Sequence, residues 1–144
     1  MAAQFILDAH VLVHRNAEIL FLKRRNTGYG DGCYSIVAGH IEPDEAAPDA
    51  AARELEEETG LSVTPDALRL VHVLQKFAAS PRLSFFFDLA LPAGQQPLNR
   101  EPDRCEALLW APLSSPPTPL IPYVAATLRR YVAKELYATF SEPM

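Results

Sequence analysis

Apolar and polar residues alternate along the first part of the chain. Over residues 5–13 apolar side chains recur at every second position, and Ile19, Phe21 and Lys23 continue the alternation after the turn-like Arg15-Asn16-Ala17. A period of two is the signature of a half-buried strand, so the spacing predicts two antiparallel strands. Residues 26–33 (NTGYGDGC) hold three glycines and predict a surface loop. Residues 34–37 read as a short strand entering a turn at Ala38, Gly39 and His40. A helix is expected over residues 48–59, with Pro48 at its start, Asp49 near the positive end of its dipole and Gly60 just past its end. Residues 68–76 and 84–91 read as strands, the second placing Phe85, Phe86 and Phe87 against both faces of a sheet. Residues 94–100 form a polar loop, 107–110 a further strand and 112–122 a proline-rich connector. A closing helix is expected over residues 123–137, with Val124, Leu128, Tyr131 and Val132 on one face.

Length and composition narrow the classes of function. A chain of 144 residues with 49% hydrophobic content suffices for one domain, 1–144, around one core. A formal net charge of −5 opposes binding to the phosphate backbone of long RNA or DNA. An acidic protein acting on a small phosphate ester needs a cation between carboxylate and phosphate. Cys33 and Cys105 form neither a disulfide framework nor a metal-ligand spacing, which predicts a reduced, cytoplasmic setting. The N-terminus, with Asp8 and His10 in it, does not read as a signal peptide, and no apolar run approaches membrane-spanning length.

The chemistry concentrates in residues 39–61, GHIEPDEAAPDAAARELEEETGL. On a helix of about 3.6 residues per turn, Glu57 and Glu58 follow Glu54 by three and four positions, so the three carboxylates share one face and Glu56 points elsewhere. Like charges so placed oppose helix formation by about 0.2–0.5 kcal/mol per pair. A divalent cation would offset that cost, and Mg²⁺, a hard ion that takes carboxylate and phosphate oxygens, suits three glutamates facing a glycine turn. Residues 54–58 alone would read as a solvated helix face.

The wider spacing decides between these readings. Five residues separate Gly39 from Glu45, seven separate Glu45 from Arg53, and Leu55, Gly60 and Leu61 complete a pattern that resembles the signature box of the Nudix (MutT-like) hydrolases at every defining position. The resemblance covers these 23 residues directly and, through the strand order, extends loosely over the whole chain. It implies the α/β Nudix fold, an α/β/α sandwich with a mixed curved sheet. It also implies that Glu54, Glu57 and Glu58 bind Mg²⁺, with Mn²⁺ as an alternative, that one of them helps to activate water, and that the Ala38 carbonyl adds a ligand. Arg53 and Glu45 would brace loop and helix by pairing. The reaction implied is attack of water on a phosphoanhydride.

Substrate contacts are less sharply marked. Tyr34 and Trp110 are candidates for stacking on a base, with Phe85 or Phe87 beside them, against core packing as the plain alternative. Arg24 and Arg25 border the glycine loop, where one could reach a phosphate, and Gly39 is a further candidate for contact with the substrate. Glu101 and Glu106 lie in a segment that resembles one supplying a further carboxylate in triphosphate-cleaving relatives. His40 and Ala38 depart from the residues frequent there, which weakens any transfer of substrate preference. Cys33 and Cys105 read as inert small side chains.

The leading expectation is hydrolysis of a nucleoside triphosphate, including damaged or non-standard ones, to the monophosphate and pyrophosphate. Hydrolysis of a nucleoside diphosphate linked to another group, such as ADP-ribose, is the enzymatic alternative. It is disfavoured because this chain lacks the additional N-terminal region common in ADP-ribose members. A non-catalytic nucleotide-binding module would have a substituted metal glutamate, and here none is substituted. An isoprenoid diphosphate isomerase would need a cysteine and acid pair. Expected partners are a small-molecule nucleotide and, by analogy with dimeric relatives, a second copy in a homodimer.

Overall fold

The structure is a computed structural model and describes residues 1–142. Strands β1 (Ile6–Arg15) and β2 (Glu18–Arg24) form the antiparallel hairpin that the alternation predicts, His14 opposite Ile19 across a turn where Asn16 takes φ 55°. The short strands β3 (Tyr34–Ser35) and β4 (Val37–His40) follow, then helix α1 (Ala47–Thr59) and a single 3₁₀ turn at Pro65–Ala67. Strands β5 (Arg69–Phe77), β6 (Arg82–Ala90) and β7 (Cys105–Pro112) lead to helix α2 (Pro122–Val132) and strand β8 (Tyr137–Ser141).

All eight strands belong to one mixed sheet. Its main path runs β3-β2-β1-β6-β5-β8, with β4 added to β1 and β7 to β2. The β1–β6 and β5–β8 pairs are parallel and the others antiparallel. Because side chains alternate across a strand, the sheet carries two apolar layers. Ala9, Val11, Val13, Leu20, Leu22, Phe87 and Leu89 pack with Ala50, Ala51 and Leu55 of α1. Leu12, Ile19, Phe21, Leu74 and Phe86 pack on the other face with Tyr123, Val124 and Leu128 of α2. The arrangement is α/β/α. Leu55 is fully buried at the centre of the first layer, so Leu55→Ala is expected to cost about 2–5 kcal/mol, read as a lower denaturation midpoint with an unchanged slope.

Three expectations need correction. Residues 38–40 are not a turn but part of β4, where Ala9 pairs with Gly39 and His10 with Ala38, filling the edge of β1 that the hairpin leaves open. The first helix starts one residue early, at Ala47. The closing helix does not reach residue 137. Its last turn ends at Val132, Lys134 takes φ 59°, and residues 137–141 lie parallel to β5 as an edge strand. Val132 and Leu136, which extended the helical spacing, are both exposed, whereas Ala138 is buried between exposed Tyr137 and Thr139, the period of a strand. Pairing with β5 satisfies backbone groups that a longer helix would leave open on the sheet edge.

Candidate active site

The glutamate face of α1 is held against β4. Gly60 closes the helix in the left-handed conformation, φ 75°, donating its N–H to the Glu56 carbonyl. Leu55 anchors the opposite side of α1 in the core, which turns residues 54, 57 and 58 toward the sheet edge. The glycine at position 39 has a packing reason, since a Cβ there would overlap the Glu54 carboxylate.

Arg53 organises the loop between β4 and α1. Its guanidinium grips Glu45 with two bonds of 2.9 Å, donates to the His40 carbonyl at 3.0 Å and reaches Glu54 at 2.8 Å. Planar two-point pairing of this kind fixes orientation as well as charge. It holds Glu45 down at about 2, below the ordinary carboxylate range, through the Arg53 hydrogen bonds.

Glu58 and Glu54 shift the other way. Burial, the neighbouring Glu54 charge and a shared hydrogen bond push Glu58 well above the usual range, although the Ala38 N–H donates to it at 3.3 Å. Burial also raises Glu54, against the pull of Arg53. Glu57 stands at the mouth, its side chain half exposed and 3.5 Å from Arg53. Among the described residues, no three His, Cys, Asp or Glu side chains are already gathered closely enough to hold a metal ion.

These glutamates line one wall of a cleft of about 730 Å³. Ala38, Gly39, His40, Arg24 and Glu101 line it too. Arg24 is engaged by the Tyr29 carbonyl at 2.7 Å and the Thr27 hydroxyl at 3.0 Å, which shape the glycine loop over the cleft. Arg25 points away and donates to the Pro102 carbonyl. Tyr34 packs into the α2-side core beside the connector, donating its N–H to the Pro119 carbonyl. Trp110 packs on the α1 side with Arg15 stacked 4.2 Å from its ring, and Phe85 and Phe87 join the same layer. Glu106 pairs with Lys23 at 3.0 Å. The fold therefore brings together Glu54, Glu57, Glu58, Arg24 and Glu101, and leaves Glu45, Arg53, Arg25, Tyr34, Trp110, Phe85, Phe87 and Glu106 off the lining of this cleft. Cys105 touches the cleft but burial raises its thiol, and Cys33 lies elsewhere.

A family profile described as NUDIX domain matches residues 5–134, most of the chain. The chain belongs to the Nudix family. Its sequence is 32% identical over 124 residues to Phosphatase NudJ of Escherichia coli strain K12, covering 85% of this chain and 81% of that one. Its fold matches a MutT NUDIX hydrolase from Burkholderia pseudomallei with TM-score 0.79 at 25% identity, over 88% of this chain and 98% of the other. A MutT protein from Methanosarcina mazei Go1 matches with TM-score 0.77 at 20% identity, over 93% and 97%, a likeness of fold alone. Membership makes this Nudix chain a phosphohydrolase acting on a phosphoanhydride substrate. No helix among the described residues is long and apolar enough to cross a membrane.

The far end of the Nudix cleft was not marked in the sequence. Asp8 and His10 of β1, Lys76 of β5, Arg82 of β6, Tyr123 of α2 and Tyr29 line it together. They come from four secondary-structure elements and a loop, and only strand pairing makes them neighbours. The one available signal was polar residues at inward positions of otherwise apolar strands, since Asp8, His10 and Lys76 are all buried.

The opposed shifts in this Nudix site predict a pH profile for the metal-free protein. Glu45, depressed in the fold, contributes stability that is lost as pH falls below the ordinary carboxylate range toward about 2. Glu54 and Glu58, raised in the fold, contribute stability that is present at low pH and lost as pH rises through their raised values. Tm measured in EDTA is therefore expected to peak in mildly acid solution and decline toward neutrality, and Glu58→Gln is expected to flatten the decline.

Proposed function

We propose that the protein hydrolyses a nucleoside triphosphate, releasing the monophosphate and pyrophosphate, with a divalent cation held by Glu54, Glu57 and Glu58. The observation that carries the reading is the continuity of one cleft from the three glutamates to a deep, partly aromatic end, with room for phosphates at one end and a nucleoside at the other. A volume of about 730 Å³ falls in the range of small-ligand sites.

The donor set fits Mg²⁺, or Mn²⁺ in its place. All three side chains offer hard oxygens, and burial together with neighbouring carboxylate charge, Glu57 on Glu54 and Glu54 on Glu58, disfavours their charged forms, a cost that added positive charge would relieve. When bound, the cation would neutralise charge on the phosphoryl group and lower the pKa of a coordinated water. The chain's own residues do the positioning. Arg53 fixes the Glu54 carboxylate while its other nitrogens tie down Glu45 and the His40 carbonyl, so loop and helix form one rigid support. Glu101, on the same cleft, adds a smaller negative charge to the burial and the Glu54 charge that raise Glu58. Arg24 and Arg104 line the same cleft and would supply positive charge to the phosphates.

The likeness to a protein described as a phosphatase favours a second reading, in which the terminal phosphate leaves as orthophosphate. Anion-exchange analysis of products with Mg²⁺ present, across triphosphates, ADP-ribose and dinucleoside polyphosphates, separates the two. Monophosphate plus pyrophosphate is the expected result. Diphosphate plus orthophosphate would move the protein to the second reading, cleavage of ADP-ribose alone would replace both, and no turnover would leave a binding module.

A further inference from the structure

Lys76 is out of place for a lysine. It is 5% exposed, on the inner face of β5, and its ammonium sits 3.4 Å from the centroid of the Tyr123 ring. Among the described residues, no carboxylate lies within ion-pairing distance of it. An ammonium removed from water without a counter-ion is costly, and contact with one aromatic face offsets only part of that cost. The nearby charges have other partners. Arg82, opposite Lys76 in the strand register, points to Asp8 at 3.4 Å and to His40 Nε2 at 3.0 Å. Glu142 accepts from the Tyr29 hydroxyl at 3.1 Å. Lys76 lines the cleft, and none of its ammonium donors meets an acceptor among the described residues.

The surroundings hold Lys76 in place. His10 stacks on Phe86 with ring centroids 4.3 Å apart, bonds the Tyr123 hydroxyl at 2.8 Å through Nε2 and lies 3.4 Å from Asp8 through Nδ1. Burial lowers His10 to about 4, so the ring is neutral at physiological pH. This chain fixes the Tyr123 ring against which the ammonium rests.

Its position along the cleft is also set. The backbone of Lys76 is separated from the β4 residues beside the glutamates by β1 and β6, three strand spacings of about 4.8 Å each, and its side chain reaches back only as far as Tyr123. An anchor at that remove meets the part of the substrate that carries the phosphates rather than the phosphates themselves. The negative fields of Asp8 and Glu142 both act on Lys76 and disfavour a further full anion there. The small Ala78 and Ala79, which line the same cleft, leave room for a planar group beside the ammonium.

We propose that Lys76 is a specificity-determining residue that donates to a ring carbonyl oxygen of the substrate base, so that the enzyme prefers oxo bases over their amino counterparts. The inference rests on the nucleotide reading above and deepens it. A site with a buried donor rejects a partner that presents an amino group, because the donor is then left unpaired.

The test uses two triphosphate pairs, ITP against ATP and UTP against CTP, which differ at the carbonyl or amino group and the adjoining ring nitrogen. With Mg²⁺, the wild-type kcat/KM is expected to favour the oxo member of each pair by about tenfold or more. In Lys76→Met the preference should fall to within about twofold, the loss falling on the oxo substrates and mainly in KM. Lys76→Gln, which keeps a donor, should retain part of it. Equal loss on both members, an unchanged preference in the variant, or a wild type without preference would each overturn the proposal. The wild-type comparison alone decides if Lys76→Met does not fold. If the wild type hydrolyses none of the four triphosphates, the nucleotide reading itself falls, an outcome distinct from turnover without preference.

Discussion

Glu57→Gln is expected to lower kcat by about 10² or more while leaving Tm almost unchanged. The side chain is half exposed and outside both core layers, so the substitution removes no packing. It deletes one charge from the oxygen face on which the cation would sit, and its pairing with Arg53 at 3.5 Å is longer than those Arg53 makes with Glu45 and Glu54 at 2.9 and 2.8 Å. Steady-state kinetics with Mg²⁺ and the best triphosphate provide the measurement. A variant as active as the wild type would remove Glu57 from the site.

Gly39→Ala is expected to produce a loss of similar size from the opposite side of the site. No unusual backbone angle is involved, because β4 is extended there and paired with Ala9. The added methyl group would occupy the space of the Glu54 carboxylate, which Arg53 holds at 2.8 Å. Either the strand or the carboxylate must shift, and a displacement near 1 Å at a catalytic group can cost about 10²-fold in rate. The prediction is a fall in kcat of about that size in a variant that still folds, with Gly39→Ser no better. Full activity in Gly39→Ala would show that the close approach of Gly39 and Glu54 is irrelevant to turnover.

The two predictions draw on different amounts of sequence information. The Glu54, Glu57 and Glu58 face was legible because helical geometry converts a spacing of three and four into a shared direction, and Arg53, Glu45 and Gly39 stood at fixed offsets from it. The hairpin and the alternation of Phe85, Phe86 and Phe87 between layers were legible for the same local reason. Strand β8 was not, because Tyr131, Val132 and Leu136 continue a helical spacing and only the open edge of β5 selects the strand. Residues 38–40 looked like a turn because a glycine there signals bending when neighbours are unknown, whereas its role is to admit Glu54.

The aromatic candidates show the same limit. Tyr34 and Trp110 carry the right chemistry for stacking on a base, yet registry places Tyr34 beside the connector and Trp110 under Arg15. The far end of the cleft is instead assembled from Asp8, His10, Lys76, Arg82 and Tyr123, residues up to 115 positions apart from Asp8 to Tyr123 that no local spacing connects. Its chemistry became visible only through the pairing of β1 with β6 and of β6 with β5.

The most direct test of the central claim is a divalent-metal titration of phosphoanhydride turnover. Protein stripped with EDTA would be assayed as Mg²⁺, and separately Mn²⁺, is restored, for the wild type and for Glu54→Gln, Glu57→Gln and Glu58→Gln. Negligible turnover is expected without metal, with saturable recovery in the wild type and, for each variant, a weaker apparent affinity for metal together with a lower plateau. Undiminished turnover in EDTA, or variants whose metal dependence matches the wild type, would contradict that claim.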